Sequence, residues 1–296
     1  MALADPWIHG SATDPPLQVR EVDRGTFILR QSKNVTFEAP FLFLFRGAAR
    51  ALLLDTGAVP DAAVCPVRET VDSLIGADCE LVVAHTHGHG DHVAGDTQFA
   101  GRPRTTVVPR DLADVRSFFG FTDWPAQVVE FDLGGRVLEI TGSPGHHPVA
   151  ITVYDRQTGF LLTGDTVYPG RLYVPDMAAF TASLDRLVSF SASRPVSQVL
   201  GCHIEMTRRP GKDYPIGCLY QPDEPPLPMT VARLTAIRDA AVARRPGVRV
   251  FDDFIIYNGP CRAGKRWLML RGAWWRLRRR FAAAGAPEGR APEGSR

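Results

Sequence analysis

The sequence predicts an α/β (α+β) fold in which β-sheets carry helices on their outer faces. Short apolar runs of strand length, broken at Arg24-Gly25, Arg46-Gly47 and Leu133-Gly134-Gly135, gather at the start of each half of the chain. Stretches with helical periodicity follow them, and this succession occurs twice. Hydrophobic residues make up 45% and charged residues 22% of the 296, the composition of a globular chain able to bury a sizeable core.

Residues 1–16 are polar and proline-containing and are expected to form an arm that orders late or frays. Four meandering strands are predicted next, at Leu17–Val22, Thr26–Arg30, Phe41–Arg46 and Ala51–Asp55. A helix over about 61–75 follows, with Pro66 suited to an early position in it. The apolar run Leu81–Ala84 reads as a buried strand that ends in a histidine-rich loop. Beyond it lie a short helix, a strand at Thr105–Val108 and a helix near Asp111–Phe119. Strands are then expected at Gln127–Phe131, Val137–Thr141, Ala150–Tyr154 and Gly159–Thr163. Ala179, Leu184, Leu187 and Phe190 give Met177–Ser191 helical spacing, and Gln198–Gly201 reads as a strand. A Pro- and Tyr-rich loop at 207–229 precedes a helix from about Thr230 to Arg244, which Pro246-Gly247 stops before a last strand at Val248–Phe251. No short-period internal repeat is visible.

The net charge of +2 is unevenly spread: residues 262–296 hold ten Lys/Arg against two Glu, a local +8 that leaves residues 1–261 at −6. An acidic body fits poorly with nucleic-acid binding. The five cysteines, Cys65, Cys79, Cys202, Cys218 and Cys261, are odd in number and form no C-x-x-C pair, which points to reduced thiols and a cytoplasmic setting. The first residues lack the basic and apolar regions of a secretory signal. No apolar run approaches the roughly 20 residues needed to span a bilayer. The segment 265–281, rich in Arg and Trp, is suited to weak contact with an anionic membrane surface or to docking on its own body, and the Ala-Pro-Glu-Gly repeats beyond it have a disordered composition.

The chemistry-bearing residues follow the ends of strands. Between His85 and His92, eight positions hold four histidines and an aspartate, and Gly88 and Gly90 allow the sharp turns that let alternate side chains converge. His146, Asp165 and His203 each come just after a later predicted strand. Taken singly, each is an ordinary loop or cap residue. Together they are the imidazole and carboxylate ligands of a divalent-metal site, held on rigid strand ends.

His87-Gly88-His89-Gly90-Asp91-His92 resembles the H-x-H-x-D-H signature of the metallo-β-lactamase superfamily. Pro144-Gly145-His146, Thr163-Gly164-Asp165-Thr166 and Leu200-Gly201-Cys202-His203 are similar to its later ligand motifs, in order, and Leu54-Asp55-Thr56-Gly57 to its early Asp-Thr-Gly segment. The resemblance covers roughly residues 17–260. It implies a four-layer αββα sandwich of two mixed sheets with a dinuclear metal site along one edge. It also implies that one ion takes His87, His89 and His146, the other Asp91, His92 and His203, and that Asp165 bridges them. The ions implied are divalent, zinc by preference, with iron or manganese also suited to the donors. Asp91 would orient a water and shuttle a proton, and Asp55 would orient a ligand loop. The expected domains are an arm at 1–16, a catalytic domain at 17–261 and a basic extension at 262–296.

Asp165 argues against a true β-lactamase, since those branches lack an aspartate there, and fits hydrolases similar to glyoxalase II and the lactonases. Tyr168, three residues on, resembles the tyrosine with which acyl-homoserine lactonases bind a substrate carbonyl; an aromatic packing role stays open for it. Only 37 residues separate Asp165 from His203, too few for the inserted domain of the superfamily's RNA-processing nucleases. Glyoxalase II adds a basic C-terminal helical region, and one clear helix follows His203, so that identity stays open. Arg171 and Tyr173, with Tyr214 and Tyr220, are candidates for the substrate wall. The expected function is hydrolysis of an ester-like bond (lactone, thioester or related) in a small molecule. The alternatives are an iron-dependent persulfide dioxygenase-like oxidoreductase and a membrane-docked protein whose metal site is incidental. Oligomeric state is not legible in the sequence.

Overall fold

The computed structural model describes residues 5–243 and 245–258, with the single positions 3 and 270. The extension 262–296, its membrane-surface segment 265–281 included, lies outside the described residues apart from Leu270. No described helix is long and apolar enough to cross a membrane.

The first sheet runs β1 (Leu17–Asp23), β2 (Thr26–Gln31), β3 (Phe41–Arg46), β4 (Arg50–Leu54), β5 (Glu80–Ala84) and β6 (Thr105–Val107) in sequence order. Its first four strands are an antiparallel meander; β4, β5 and β6 are parallel because a crossover containing helix α1 (Val67–Ile75) separates β4 from β5. After β5 come the short helix α2 (Gly90–Val93) and a 3-10 turn (Ala94–Phe99), and after β6 helix α3 (Leu112–Phe119). The second sheet has the order β12 (Gln198–Gly201), β10 (Phe160–Gly164), β9 (Ile151–Asp155), β8 (Val137–Gly142), β7 (Val128–Asp132) and is also mixed. Helices α4 (Met177–Ala192) and α5 (Val231–Val242) begin at Asp176 and Thr230, whose side chains accept from the backbone N–H of Ala179 and Arg233.

Side-chain alternation builds the layers. In β3, Phe41, Phe43 and Phe45 point between the sheets and meet Ile140, Val153 and Leu162 of the second sheet. Leu42 and Leu44 point outward, with Leu53 and Val83, onto Val67, Val71 and Ile75 of α1. On the far side, Leu161 and Val199 pack against Phe180, Leu184 and Leu187 of α4 and Leu234 and Ile237 of α5. The result is a four-layer αββα sandwich. Arg136, ahead of β8, ties the sheets at one end: it donates to both Asp155 carboxylate oxygens (2.6 and 3.0 Å), to Gly25 O and to Thr26 Oγ1.

Four expectations change. A third sheet is present, in which β11 (Arg171–Val174) pairs in parallel with β14 (Ile255–Asn258), itself antiparallel to β13 (Gly247–Val250). The predicted last strand is therefore the next to last among the described residues, because the chain turns at 251–254 and comes back. Helix α1 begins at Val67 rather than 61, because Val64 and Cys65 N–H close a turn on Asp61 O and Pro66 takes the cap position. Residues 5–16 are not a loose arm: Trp7 is 4% exposed and meets Phe41 edge-on, and Asp14 accepts from the N–H of His9, Gly10 and Ser11. Cys65, Cys79 and Cys202 form no disulfide.

Candidate metal centre

Strand direction explains why distant motifs meet. Strands β4 and β5 are parallel, so Asp55 and the His85–His92 loop leave the first sheet at the same edge. In the second sheet β8 and β10 flank the antiparallel β9, and β12 is parallel to β10, so His146, Asp165 and His203 follow three ends that point one way. Glycine lets these loops close up. Gly164 has φ +54°, and a Cβ there would lie 2.7 Å from Thr86 Cβ. Gly145 has φ +142°, and its Cβ would lie 2.4 Å from the Phe180 backbone.

The seven candidate ligands fall into two groups, His87/His89/His146 and Asp91/His92/Asp165/His203, whose donor atoms lie within 4.8 Å of one another in each. His89 Nδ1 is 2.9 Å from His87 Nε2 and 3.0 Å from His146 Nε2, and His92 Nε2 is 3.4 Å from His203 Nε2. Donors each ~2.0–2.1 Å from one tetrahedral ion stand about 3.3 Å apart, so these spacings suit a shared cation. Asp165 lies between the groups: Oδ2 is 3.7 Å from His146 Nε2, and Oδ1 is 3.6 and 3.4 Å from His92 and His203 Nε2. Its buried Oδ1 has no hydrogen-bond partner, which a carboxylate tolerates poorly unless a cation satisfies it. The residues fit a pair of divalent ions.

Outer contacts orient the rings. His146 Nδ1 donates to Tyr173 O (2.8 Å) and His203 Nδ1 to Glu38 O (3.2 Å); a carbonyl only accepts, so each ring can turn a bare Nε2 to the centre. Asp55, fully buried at φ +69°, accepts from Thr86 N–H (2.7 Å), Thr86 Oγ1 (2.8 Å) and His92 Nδ1 (2.9 Å). Cys202 Sγ lies 3.4 Å from the same carboxylate, and burial pushes this thiol well up, out of the range of a nucleophile. His85 pairs with Asp96 at 2.8 Å, and His147 Nδ1 accepts from Val149 N–H.

Charge follows the same plan. Burial, reinforced by His92, lowers His87 well below the usual imidazole range and keeps it neutral. Burial works against protonation of His92 and His203 too, yet the carboxylates prevail: Asp55 and Asp165 lift His92 well above its ordinary value, and Asp165 with Asp91 lifts His203 to about 9. Burial alone would raise Asp165, but His203 and His92 hold it well below the carboxylate range. The centre attracts positive charge.

A cavity of about 460 Å3 opens onto it, lined by His89, Asp91, His146, Asp165 and His203 and by the substrate-wall candidates Tyr168, Arg171 and Tyr173. The Tyr168 hydroxyl donates to Arg171 O (2.5 Å) with Glu205 Oε2 at 3.3 Å, while its ring packs against His203. Arg171 is engaged by Glu205 (2.5 Å), Asp213 (3.0 Å), Tyr214 O (2.7 Å) and Tyr173 Oη (3.1 Å), and so braces the 205–214 loop. Tyr214 is likewise committed, its hydroxyl accepting from Asp223 N–H, and Tyr220 does not line the cavity. Sequence reasoning missed Lys33, Glu38 and Gln221, which do line it and lie in no recognisable motif.

Residues 35–194 match the model of the metallo-beta-lactamase superfamily. The chain is similar to the hydroxyacylglutathione hydrolase of Synechococcus sp., 34% identical over 143 residues that cover 45% of this chain and 53% of that one. A hydroxyacylglutathione hydrolase of Methylococcus capsulatus is 27% identical over 199 residues, 65% of this chain and 73% of that one. The chain thus spans about half the length of the Synechococcus relative. The fold is also that of the metallo beta lactamase from Hirschia baltica, with a TM-score of 0.52 at 15% identity over 64% of this chain and 91% of that one.

Proposed function

This chain belongs to the metallo-beta-lactamase superfamily, and we propose that it hydrolyses an ester-like bond, a thioester foremost, at a pair of divalent ions. One ion is assigned to His87, His89 and His146, the other to Asp91, His92 and His203, with Asp165 shared. The carrying observation is the Asp165 carboxylate, buried between two sets of imidazoles that stand 3.4–3.7 Å from its oxygens, with no hydrogen bond to Oδ1. Two similar proteins that are hydroxyacylglutathione hydrolases support a thioester as the bond. The Tyr168 hydroxyl, spent on Arg171 O, gives no support to the lactone-type carbonyl contact.

Ions of this kind, when bound, polarise a carbonyl and acidify water to near-neutral pKa. The chain does the rest. Asp91 Oδ2, held 3.2 Å from His203 Nε2, takes the proton of the attacking water and returns it to the departing thiolate. Before any ion binds, burial would raise Asp91, but the His203 contact and the His92 charge keep it below its ordinary value. Asp55 and Glu38 O hold His92 and His203 in orientation, and Phe37 and Ile216 give the cavity an apolar side for the acyl portion. The catalytic unit is assigned to residues 17–261.

The test is thiol release from a thioester panel before and after chelation and zinc return. Loss and recovery of turnover is the expected result. Turnover that resists chelation, or oxygen uptake on persulfides by protein holding a single iron, refutes the proposal.

A further inference from the structure

Two basic side chains wall the cavity, Lys33 and Arg171. Arg171 is saturated by the acceptors already described. Lys33 is not. It follows β2 with its side chain 2% exposed, yet its ammonium group, which carries three donors, makes one long hydrogen bond, 3.4 Å to Phe37 O. Its counter-ion Glu224 stands 3.7 Å away and is already gripped by both Nη atoms of Arg30, at 2.6 and 2.7 Å. In the buried set Arg30, Lys33 and Glu224 two cations share one carboxylate, and Glu205, which also acts on Lys33, is engaged by Arg171. Such a charge costs stability, and burial pushes Lys33 down to about 8 against the pull of Glu224. Gln221, 5% exposed, lines the same cavity; its Nε2 donates to Cys218 O while Oε1 has no partner. Two buried polar groups with unspent capacity thus share the cavity with the metal ligands.

We propose that Lys33 recognises a carboxylate on the part of the substrate remote from the scissile bond, with a neighbouring N–H or O–H donating to Gln221 Oε1. A carboxylate suits the site better than a phosphate, because one ammonium with unspent donors is offered where a dianion would call for several cations or an Arg fork. Glu38 and Glu205 on the same cavity add to that bias against a dianion. The inference rests on the hydrolase reading for where the scissile bond lies.

The experiment titrates the zinc-loaded full-length protein with two non-hydrolysable thioethers that differ only in a terminal carboxylate or carboxamide. Wild-type protein is expected to bind the carboxylate ~10- to 100-fold more tightly, the worth of a hydrogen bond to a charged group. Lys33→Met should erase that preference. The variant keeps the Arg30–Glu224 pair, and its melting curve and metal content report whether it folds. Equal affinity of wild-type protein for the two thioethers, or a preference that survives in Lys33→Met, overturns the proposal. Turnover of the matching thioesters is read separately: a carboxylate preference without hydrolysis of either one refutes the hydrolase reading and leaves Lys33 as an anion site.

Discussion

Asp55→Asn isolates what the Asp55 carboxylate does for one half of the centre. An ion at the proposed second site would take the place of the His92 Nε2 proton, and Asp55 would keep the remaining proton on Nδ1, 2.9 Å from its Oδ2. Asparagine fits the same space and tolerates the φ of +69°. Its carbonyl oxygen must occupy the Oδ1 position to accept from Thr86 N–H, 2.7 Å away, which turns the amide NH2 toward His92 Nδ1. Nδ1 can meet that donor only as an acceptor, so the proton moves to Nε2, the nitrogen facing Asp91, Asp165 and His203. The loss is one charge-assisted hydrogen bond and the right tautomer, ~10- to 100-fold in affinity at that site, or ~1.4–2.7 kcal/mol. Competition against a chromophoric chelator should show one ion held as before, at His87/His89/His146, and one weakened. Two unchanged affinities in folded Asp55→Asn protein would refute the reasoning.

Three further perturbations separate roles in the same way. Tyr168→Phe should lower kcat less than ~fivefold, since the hydroxyl is spent on Arg171 O and one neutral hydrogen bond is worth ~1 kcal/mol; a drop of ~100-fold or more would instead mark an oxyanion donor. Arg136→Met leaves the buried Asp155 charge without its main partner and should cost ~3–5 kcal/mol in urea unfolding; a cost below ~1 kcal/mol would show that the tie between the sheets is dispensable. Lys33 is lowered from 10.5 to about 8 chiefly by burial, so the folded state sheds its proton first and the charged amine costs the fold ~3 kcal/mol below pH 8. That cost fades as pH rises from about 8 to 10.5. Lys33→Met should therefore be the more stable protein at pH 7 and lose its advantage by about pH 10.5; an advantage independent of pH would contradict the burial of a charged Lys33.

Much of the fold was legible because β3 and β4 alternate large apolar residues toward two different layers, and α4 carries its apolar positions at helical spacing. The third sheet was not, because β11 and β14 are four residues each and pair across some eighty positions, where no local pattern announces the partner. Within the site, donors at strand ends stood out as short motifs of unusual residue types. The cavity wall did not. Arg171 stands in the cavity wall, but its engagement by Glu205 and Asp213 is not visible locally, because both come from a loop some forty residues away. Lys33 was passed over because its burial depends on Glu224, brought to it by the fold from the opposite end of the domain. The packing of Trp7 against Phe41 escaped for the same reason, a polar-looking segment anchored by one buried ring.

The shared carboxylate is tested most directly by metal stoichiometry of the purified full-length chain, wild type beside Asp165→Ala, with thioester turnover measured on the same samples. About two ions per chain are expected in the wild type, at most one in the variant, and no turnover by the variant. An Asp165→Ala protein that retains both ions, or that turns over thioester as the wild type does, would contradict that expectation.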